Sequence, residues 1–313
     1  KKTVKALAKT LKHAGVTLGL LLIIFASIIW AVYLSALYFL YQYLPVLSQV
    51  ALGVCVGGQL YWFYRFGYGH FGVGPKPLLP DLTINETGSE ASKVVRFVCI
   101  SDTHGDHDRM EIPTGDVLIH AGDFTRFGSI EEIKSFNTWL SKLPHKKKII
   151  CAGNHDIELD PDISADAQKA EELLDGCVYL NGKIIDVQGV KIYGSPMQLG
   201  FSKGVAHAFG RSPDQMKEHW ESQLPADSKI DIILTHAPPH GILDRVFTSK
   251  RVGDKHLLGT LRRIRPKFCI FGHIHESYGV QADSKSGCIC INASSCTMLG
   301  AARHPPIVFD IKI

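Results

Sequence analysis

From residue 94 to the C terminus the chain is a succession of short runs rich in Val and Ile, and no other feature constrains its fold as much. The runs are VVRFVCI (94–100), DVLIH (116–120), KKIICAG (147–153), KIIDV and VKIYG (within 183–194), KIDIILT (229–235), KFCIFG (267–272), CICIN (288–292) and IVFDI (307–311). Each has the length and composition of a strand. Helical segments separate several of them. Ser129-Ile130-Glu131-Glu132 reads as a capping box, and Ile130, Ile133, Phe136 and Leu140 then recur at helical spacing up to Pro144. Ser212-Pro213-Asp214-Gln215 opens a second helix that stops near Pro225, and Leu257, Leu258, Leu261 and Ile264 mark a third, ended by Pro266. Strands alternating with helices predict an α/β fold with buried sheets. The strand-dense C-terminal third predicts a second sheet, partly antiparallel.

The residues just beyond the strand ends carry the chemistry. After 94–100 comes Ser101-Asp102-Thr103-His104-Gly105, after 116–120 Gly122-Asp123, and after 147–152 Gly153-Asn154-His155-Asp156. His236 comes directly after 229–235, and Gly272-His273-Ile274-His275 directly after 267–271. Ligands in α/β proteins gather at the carboxyl ends of strands. Imidazole with carboxylate suits Zn, Mn or Fe better than Mg or Ca. Three carboxylate or amide groups (Asp102, Asp123, Asn154) and four imidazoles (His104, His236, His273, His275) are too many nitrogen-rich ligands for one cation. They suit two cations sharing a carboxylate, about 3.5–4 Å apart, which hold a hydroxide between them and clamp the oxygens of an in-line phosphoryl displacement. Glycine before Asp123, Asn154 and His273 is expected to let the backbone turn sharply and approach the metals.

The N-terminal part is of another kind. Residues 14–64 contain no Lys, Arg, Asp or Glu. Residues 14–44 are long enough to span a bilayer, and 46–64, after Pro45, are of about the minimum length. Tyr38, Tyr41, Tyr43, Tyr61, Trp62, Tyr64 and Tyr68 cluster at the ends of these runs, as interfacial aromatics do. The division expected is a basic N terminus and transmembrane helical hairpin over 1–66, a Gly/Pro-rich linker over 67–92 and a catalytic domain over 93–313. Five lysines in the first twelve residues place that end in the cytosol, and two spans return the catalytic domain to the cytosol. The competing arrangement has one span and puts the domain on the far side, where Asn85-Glu86-Thr87 and Asn292-Ala293-Ser294 become glycosylation acceptors. The apolar run is too long for the core of a cleaved signal peptide.

Of 34 basic and 30 acidic residues, seven and three fall within 1–92, which leaves the rest of the chain with 27 of each. A domain so balanced lacks the positive field of a protein that tracks a nucleic acid polymer, and no such partner is expected. The eight cysteines sit mostly in apolar runs and are expected as free buried thiols of a reducing compartment. A metal site at Cys288, Cys290 and Cys296 is disfavoured, because the spacing alternates along a strand.

These five blocks, in this order from Asp102 to His275, resemble the calcineurin-like metallophosphoesterase superfamily, and the resemblance covers residues 94–313. VLIHAGDFTRFG, FNTWLSKLP, FGHIHESYG and INASSCT are similar to its metallophosphoesterase-domain-containing branch, which is close to the class III cyclic-nucleotide phosphodiesterases. The resemblance implies a four-layer α/β/β/α sandwich and two divalent metal ions, Mn, Fe or Zn. It implies that Asp102, His104 and His275 bind the first metal, that Asn154, His236 and His273 bind the second, and that Asp123 bridges both. His155 would not ligate but would stabilise or protonate the leaving oxygen. Protein Ser/Thr phosphatases carry Gly-Asp-x-Val-Asp-Arg-Gly at the second block. Here it is Gly122-Asp123-Phe124-Thr125-Arg126-Phe127-Gly128, without the Asp-Arg pair, which argues against that activity.

The chain is therefore expected to be an integral membrane hydrolase whose substrate is a small-molecule phosphate ester, foremost a phosphodiester such as a cyclic nucleotide, and whose hairpin holds it to a lipid bilayer. Two alternatives are a phosphoesterase for membrane lipid phosphates and a non-catalytic, metal-stabilised scaffold. Phe201, His207, Phe209 and Arg211, between a strand and the next helix, are candidates to line the substrate pocket. Arg126 reads as an exposed loop residue or a phosphate contact, His240 as a turn residue or a support for His236, and His120 as a packed core histidine.

Overall fold

A computed structural model of the chain describes residues 30, 32–33, 83–84, 93–200, 207–297 and 304–313. The chain divides into two units, Lys1–His70 and Phe71–Ile313. Of the first, Trp30, Val32 and Tyr33 are described; they are helical, and the Trp30 and Tyr33 rings meet edge to face at 5.9 Å. The expected spans, 14–44 and 46–64, otherwise lie outside the described residues, as does most of the linker. Among the described residues no helix is long and apolar enough to cross a membrane.

The second unit has ten principal strands: β1 (Val94–Ile100), β2 (Val117–Ala121), β3 (Lys147–Cys151), β4 (Lys183–Val187), β5 (Val190–Ser195), β6 (Ile232–Thr235), β7 (Phe268–Phe271), β8 (Gly279–Ala282), β9 (Ile289–Asn292) and β10 (Ile307–Lys312). Its helices are α1 (Ile130–Ser141), α2 (Ala167–Glu172), α3 (Pro213–Gln223) and α4 (Lys255–Ile264). One six-stranded sheet runs Thr83–Ile84, β10, β1, β2, β3, Val178–Tyr179. The other runs β8, β9, β7, β6, β5, β4. The central pairs of both are parallel, and β10 with β1, β8 with β9 and β4 with β5 are antiparallel. Thr83–Ile84, inside the expected linker, is a strand pairing in parallel with β10.

The parallel strands read as unbroken apolar runs because both of their faces are covered. Phe97, Cys99, Ile119 and Ile149 of the first sheet meet Ile192, Ile232, Leu234, Phe268 and Ile270 of the second in one inner core. Phe309 stacks on Phe97 (centroids 5.0 Å apart) and on Phe268 (4.0 Å), tying sheet to sheet. Each of these rings is buried, and each contributes about 2–3 kcal/mol of hydrophobic stabilisation. On the outer face of the first sheet, Ile133, Phe136 and Leu140 of α1 pack over Val98, Ile100, Leu118 and Ile150. On the outer face of the second, Met216 and Trp220 of α3 and Leu257 and Leu261 of α4 cover Ile233, Cys269, Phe271 and Cys290. The layers thus succeed one another as helix, sheet, sheet, helix. The capping boxes form as expected at Ser129 with Glu132 and at Ser212 with Gln215.

Of the seven described cysteines, six are buried. Asn292 is fully buried on β9, and its amide donates to the Ile274 carbonyl at 2.8 Å. In the folded domain it cannot accept a glycan.

Candidate metal centre

The two sheets present their carboxyl ends along one edge. Backbone bonds join the strand ends there: Asp102 N–H to Gly122 O (2.9 Å), Gly272 N–H to His236 O (2.9 Å) and Ser295 N–H to Ser101 O (2.7 Å). Asp102, His104, Asp123 and His273 all adopt left-handed backbone, with φ of 52°, 43°, 55° and 69°. Such conformations cost of order 1 kcal/mol each in a non-glycine residue and persist where surrounding structure imposes them. The bend was expected on the preceding glycines. Gly122 does carry it (φ 95°), whereas Gly153 and Gly272 serve close approach instead. A Cβ on Gly153 would meet the Asp123 carboxylate, and one on Gly272 the carboxylate of Asp102 and the hydroxyl of Ser101.

The seven sequence-predicted ligands converge. The donor atoms of Asp102, His104 and His275 lie within 4.8 Å of one another, and so do those of Asp123, His236 and His273. His104, Asp123 and His155 form a third such group. Asn154 Oδ1 lies 3.0 Å from His236 Nε2.

Hydrogen bonding fixes which nitrogen each ring turns inward. His104 Nδ1 faces the Thr125 carbonyl (3.3 Å), His236 Nδ1 that of Ala121 (2.8 Å) and His275 Nδ1 that of Thr297 (3.1 Å). A carbonyl only accepts, so each Nδ1 carries a proton and each Nε2 is the ring nitrogen turned inward, free to offer its lone pair once it carries no proton of its own. His104 Nε2 and His275 Nε2 then oppose each other at 3.3 Å. His236 Nε2 faces Asn154 Oδ1 and, at 3.3 Å, Asp123 Oδ2. Each of these close pairs needs a positive charge between its atoms, a proton or a metal ion in its place, and the donor set fits cations.

The titration tendencies agree. Burial opposes the charge of both carboxylates. It is outweighed at Asp102 by His275 and His236, and at Asp123 by His236, His155 and His104, so both stay below the usual carboxylate range. Burial also opposes protonation of His236, but Asp123 and Asp102 hold it up at about 9. His275 is raised against burial by Asp102. His104 and His273, where burial prevails, fall to about 4 and about 3. The field of the centre thus attracts positive charge while two of its imidazoles stay neutral and able to donate to a metal.

Other residues hold this arrangement. Asp156, fully buried, accepts from Asp123 N–H (2.9 Å), Gly153 N–H (2.8 Å), Thr125 N–H (3.0 Å) and Thr125 Oγ1–H (2.7 Å). Asp102 accepts from Ser294 Oγ–H (2.9 Å) and His273 N–H (3.0 Å). The sequence alone assigns neither Asp156 nor Ser294 a role; the available signal is their place inside the GNHD and INASSCT stretches. His155 donates Nδ1–H to the Arg126 carbonyl (2.7 Å) and rests edge-on against His104 (4.6 Å).

Arg126 is not a free surface residue. Its Nε donates to the His104 carbonyl at 3.1 Å and its terminal nitrogen lies 3.6 Å from Asp106. It lines a cleft of about 240 Å³ with His104, Asp106, His107, Glu132 and Ser135. His120 is a core residue, its Nε2 3.1 Å from Thr103 Oγ1. The His240 backbone N–H donates to Asp254 O at 2.9 Å, which ties it to the start of α4.

The expected pocket residues fare differently. Phe201 lies outside the described residues. His207 is exposed, and its neighbour Ala208 donates N–H to the Asn154 carbonyl (3.2 Å), which keeps that segment beside the centre. Phe209 is a correction: it is fully buried in the outer core, with left-handed backbone (φ 60°) and its N–H held by Asp160 at 2.6 Å. Arg211 is another: it pairs with Asp162 (2.6 Å) and lines a separate depression with Met197, Gln215 and His219.

Two sheets that bring aspartates and histidines from five strand ends to one buried point build a metal-dependent phosphoesterase. Residues 95–277 match the calcineurin-like phosphoesterase family, and the chain belongs to it. Over 274 residues it is 38% identical to human metallophosphoesterase domain-containing protein 1, covering 81% of this chain and 81% of that protein. The mouse protein of that name matches to the same extent. A Caenorhabditis elegans protein of the UPF0046 group is 40% identical over 256 residues, 76% of this chain and 86% of the relative.

Proposed function

We propose that the chain hydrolyses phosphodiesters of small molecules, cyclic nucleotides among them, at a centre of two divalent ions (Mn, Fe or Zn). Asp102, His104 and His275 hold one ion, Asn154, His236 and His273 the other, and Asp123 serves both. The observation that carries this reading is the set of inward-facing Nε2 atoms, each ring oriented by an Nδ1–H bond to a carbonyl, around two buried carboxylates. The ions supply Lewis-acid activation of water and neutralise charge on the phosphoryl oxygens. Asp102 and Asp123, already ionised, orient with the imidazoles what binds between them. Asp102, Asp123 and His236 are buried, and shielding from water strengthens each electrostatic contact.

His155 keeps Nδ1–H on the Arg126 carbonyl, so Nε2 is the atom that passes a proton to the leaving oxygen. His155→Ala is expected to lower kcat by roughly 10²–10³-fold while both ions stay bound, read by steady-state kinetics and elemental analysis. Loss of the ions would show that His155 ligates.

The diester preference rests on charge. Among the residues lining the cleft, Arg126 is the sole Lys or Arg, and Asp106 and Glu132 oppose it. One partly neutralised guanidinium suits a singly charged diester better than a monoester dianion. The test compares bis(p-nitrophenyl) phosphate with p-nitrophenyl phosphate on the full chain, with Mn²⁺ and then with chelator. Faster diester turnover that chelator abolishes is expected. A monoester preference contradicts the substrate reading, and no turnover with two ions bound contradicts catalysis.

The uncharged run over 14–64 supports attachment to a bilayer through a helical hairpin, with the catalytic domain in the cytosol. It also favours, as a second reading, a phosphate ester carried by a membrane lipid.

A further inference from the structure

Residues 244–252 form a hairpin in the connection between β6 and α4. Arg245 and Arg251 pair antiparallel, Val252 N–H donates to Asp244 O (3.1 Å), Val246 N–H to Lys250 O (3.0 Å) and Ser249 N–H to Val246 O (2.7 Å). Its base is braced by Asp244, a fully buried carboxylate that accepts from Gly241 N–H (2.8 Å), Gly253 N–H (3.2 Å) and the Arg251 guanidinium (2.7 Å). Its side is braced against the turn that carries His275: Phe247 N–H donates to Glu276 Oε1 (2.6 Å) and Ser277 Oγ–H to the Arg245 carbonyl (2.8 Å).

This bonded framework holds an aromatic ring out in water. Phe247 is 76% exposed, more than any other large apolar side chain among the described residues. Arg245, Lys250 and Arg251 are exposed around it. The second most exposed is Phe127, at 67%, on the loop after β2. Its N–H is held by Glu132 Oε2 at 3.0 Å, and the preceding residue, Arg126, touches His104 and His155. One ring rises from a loop of the first sheet and the other from a loop of the second. Both loops leave the edge where the metal ligands gather.

We propose that the rim of the site docks on an anionic lipid surface, with Phe247 and Phe127 in the headgroup–acyl boundary and Arg245, Lys250 and Arg251 against acidic headgroups. The inference rests on the reading of the chain as membrane-attached, and it adds which face of the catalytic domain turns to the bilayer. Separate convex rings, one collared by cations, suit a fluid anionic surface. A fitted protein partner requires a larger continuous area. Buried Asp244 offsets one of the three cations and Glu276, on the Phe247 N–H, a second, so the collar keeps a net charge of one positive.

The test measures backbone hydrogen exchange at 245–252 in the full chain reconstituted into vesicles of phosphatidylcholine alone or with about one third phosphatidylserine. Exchange is expected to slow only where phosphatidylserine is present. Phe247→Ser with Lys250→Glu should cancel the slowing, weakening the lipid dependence by tenfold or more, since each basic residue near such a surface is worth roughly a factor of five. That double variant should hydrolyse bis(p-nitrophenyl) phosphate in detergent at the wild-type rate. Unchanged exchange overturns the proposal, as does equal slowing on neutral vesicles. Slowing without vesicles that grows with protein concentration also overturns it, since a second copy would then cover the surface. Retention through a carbonate wash reads the N-terminal attachment separately. A chain that is retained with unchanged exchange keeps its anchor and loses the docking face. A chain that is washed off, yet slows on added phosphatidylserine vesicles, keeps the docking face and loses the anchor.

Discussion

Gly272→Ala is expected to abolish phosphoester hydrolysis. The added Cβ would strike the Asp102 carboxylate and the Ser101 hydroxyl. Neither has room to yield: both residues are fully buried, and Asp102 is held by Ser294 Oγ–H and His273 N–H. The end of β7 must move instead, and it carries His273 and His275. A loss of at least about 10³-fold in kcat/KM is expected, because a misplacement of about 1 Å already costs some 10²-fold. Fewer bound ions and about 3 kcal/mol lower stability from overpacking should accompany it. Kinetics, elemental analysis and urea unfolding read the three effects. Gly259→Ala is the control: its Cβ would meet nothing within 4 Å on α4, so stability should rise by about 1 kcal/mol with activity unchanged. A fully active Gly272→Ala enzyme would contradict the close approach of β7 to Asp102.

Asp156→Asn is expected to be nearly as damaging, although it changes one heavy atom and touches no substrate. Each carboxylate oxygen accepts two hydrogen bonds, Oδ1 from the Thr125 amide and hydroxyl and Oδ2 from the Asp123 and Gly153 amides. An asparagine turns an NH2 group toward one of those donor pairs and leaves it unsatisfied. Stability should fall by about 3 kcal/mol, as when a buried hydrogen-bonded carboxylate loses its acceptor role. Because Asp123 and Asn154 sit on the two loops so joined, kcat/KM should fall by roughly 10²–10³-fold. A structural role alone would cost stability and spare the centre. The discriminating readout is therefore ion affinity at a temperature where the variant is fully folded, and it should weaken. Unchanged affinity would show that Asp156 acts on the fold without positioning ligands.

The parts legible in the sequence are those set by local pattern. The buried parallel strands announce themselves as unbroken Val/Ile runs, and the helices by capping boxes and spacing. The seven converging side chains could be read because each lies just past a strand end. Elements that depend on a distant partner were not legible. Thr83–Ile84 is a strand only because β10 offers it an edge. The six residues of α2 carry no capping side-chain bond at Asp166. Phe209 looked like a pocket residue because its loop is rich in aromatic and polar side chains; Asp160, 49 residues earlier, fixes its backbone and turns it into the core. Ser294 gains its role from Asp102, 192 positions away. The hydropathic reading of 14–44 and 46–64 falls, apart from Trp30, Val32 and Tyr33, outside the described residues.

The most direct test of the central claim is the number of ions held per chain. The full chain, loaded with Mn²⁺ and freed of excess metal by gel filtration, should carry two by elemental analysis. Asp123→Ala, which removes the carboxylate common to both sites, should retain at most one. One ion or none on the wild-type protein, or two undiminished on Asp123→Ala, would contradict a paired centre built on that carboxylate.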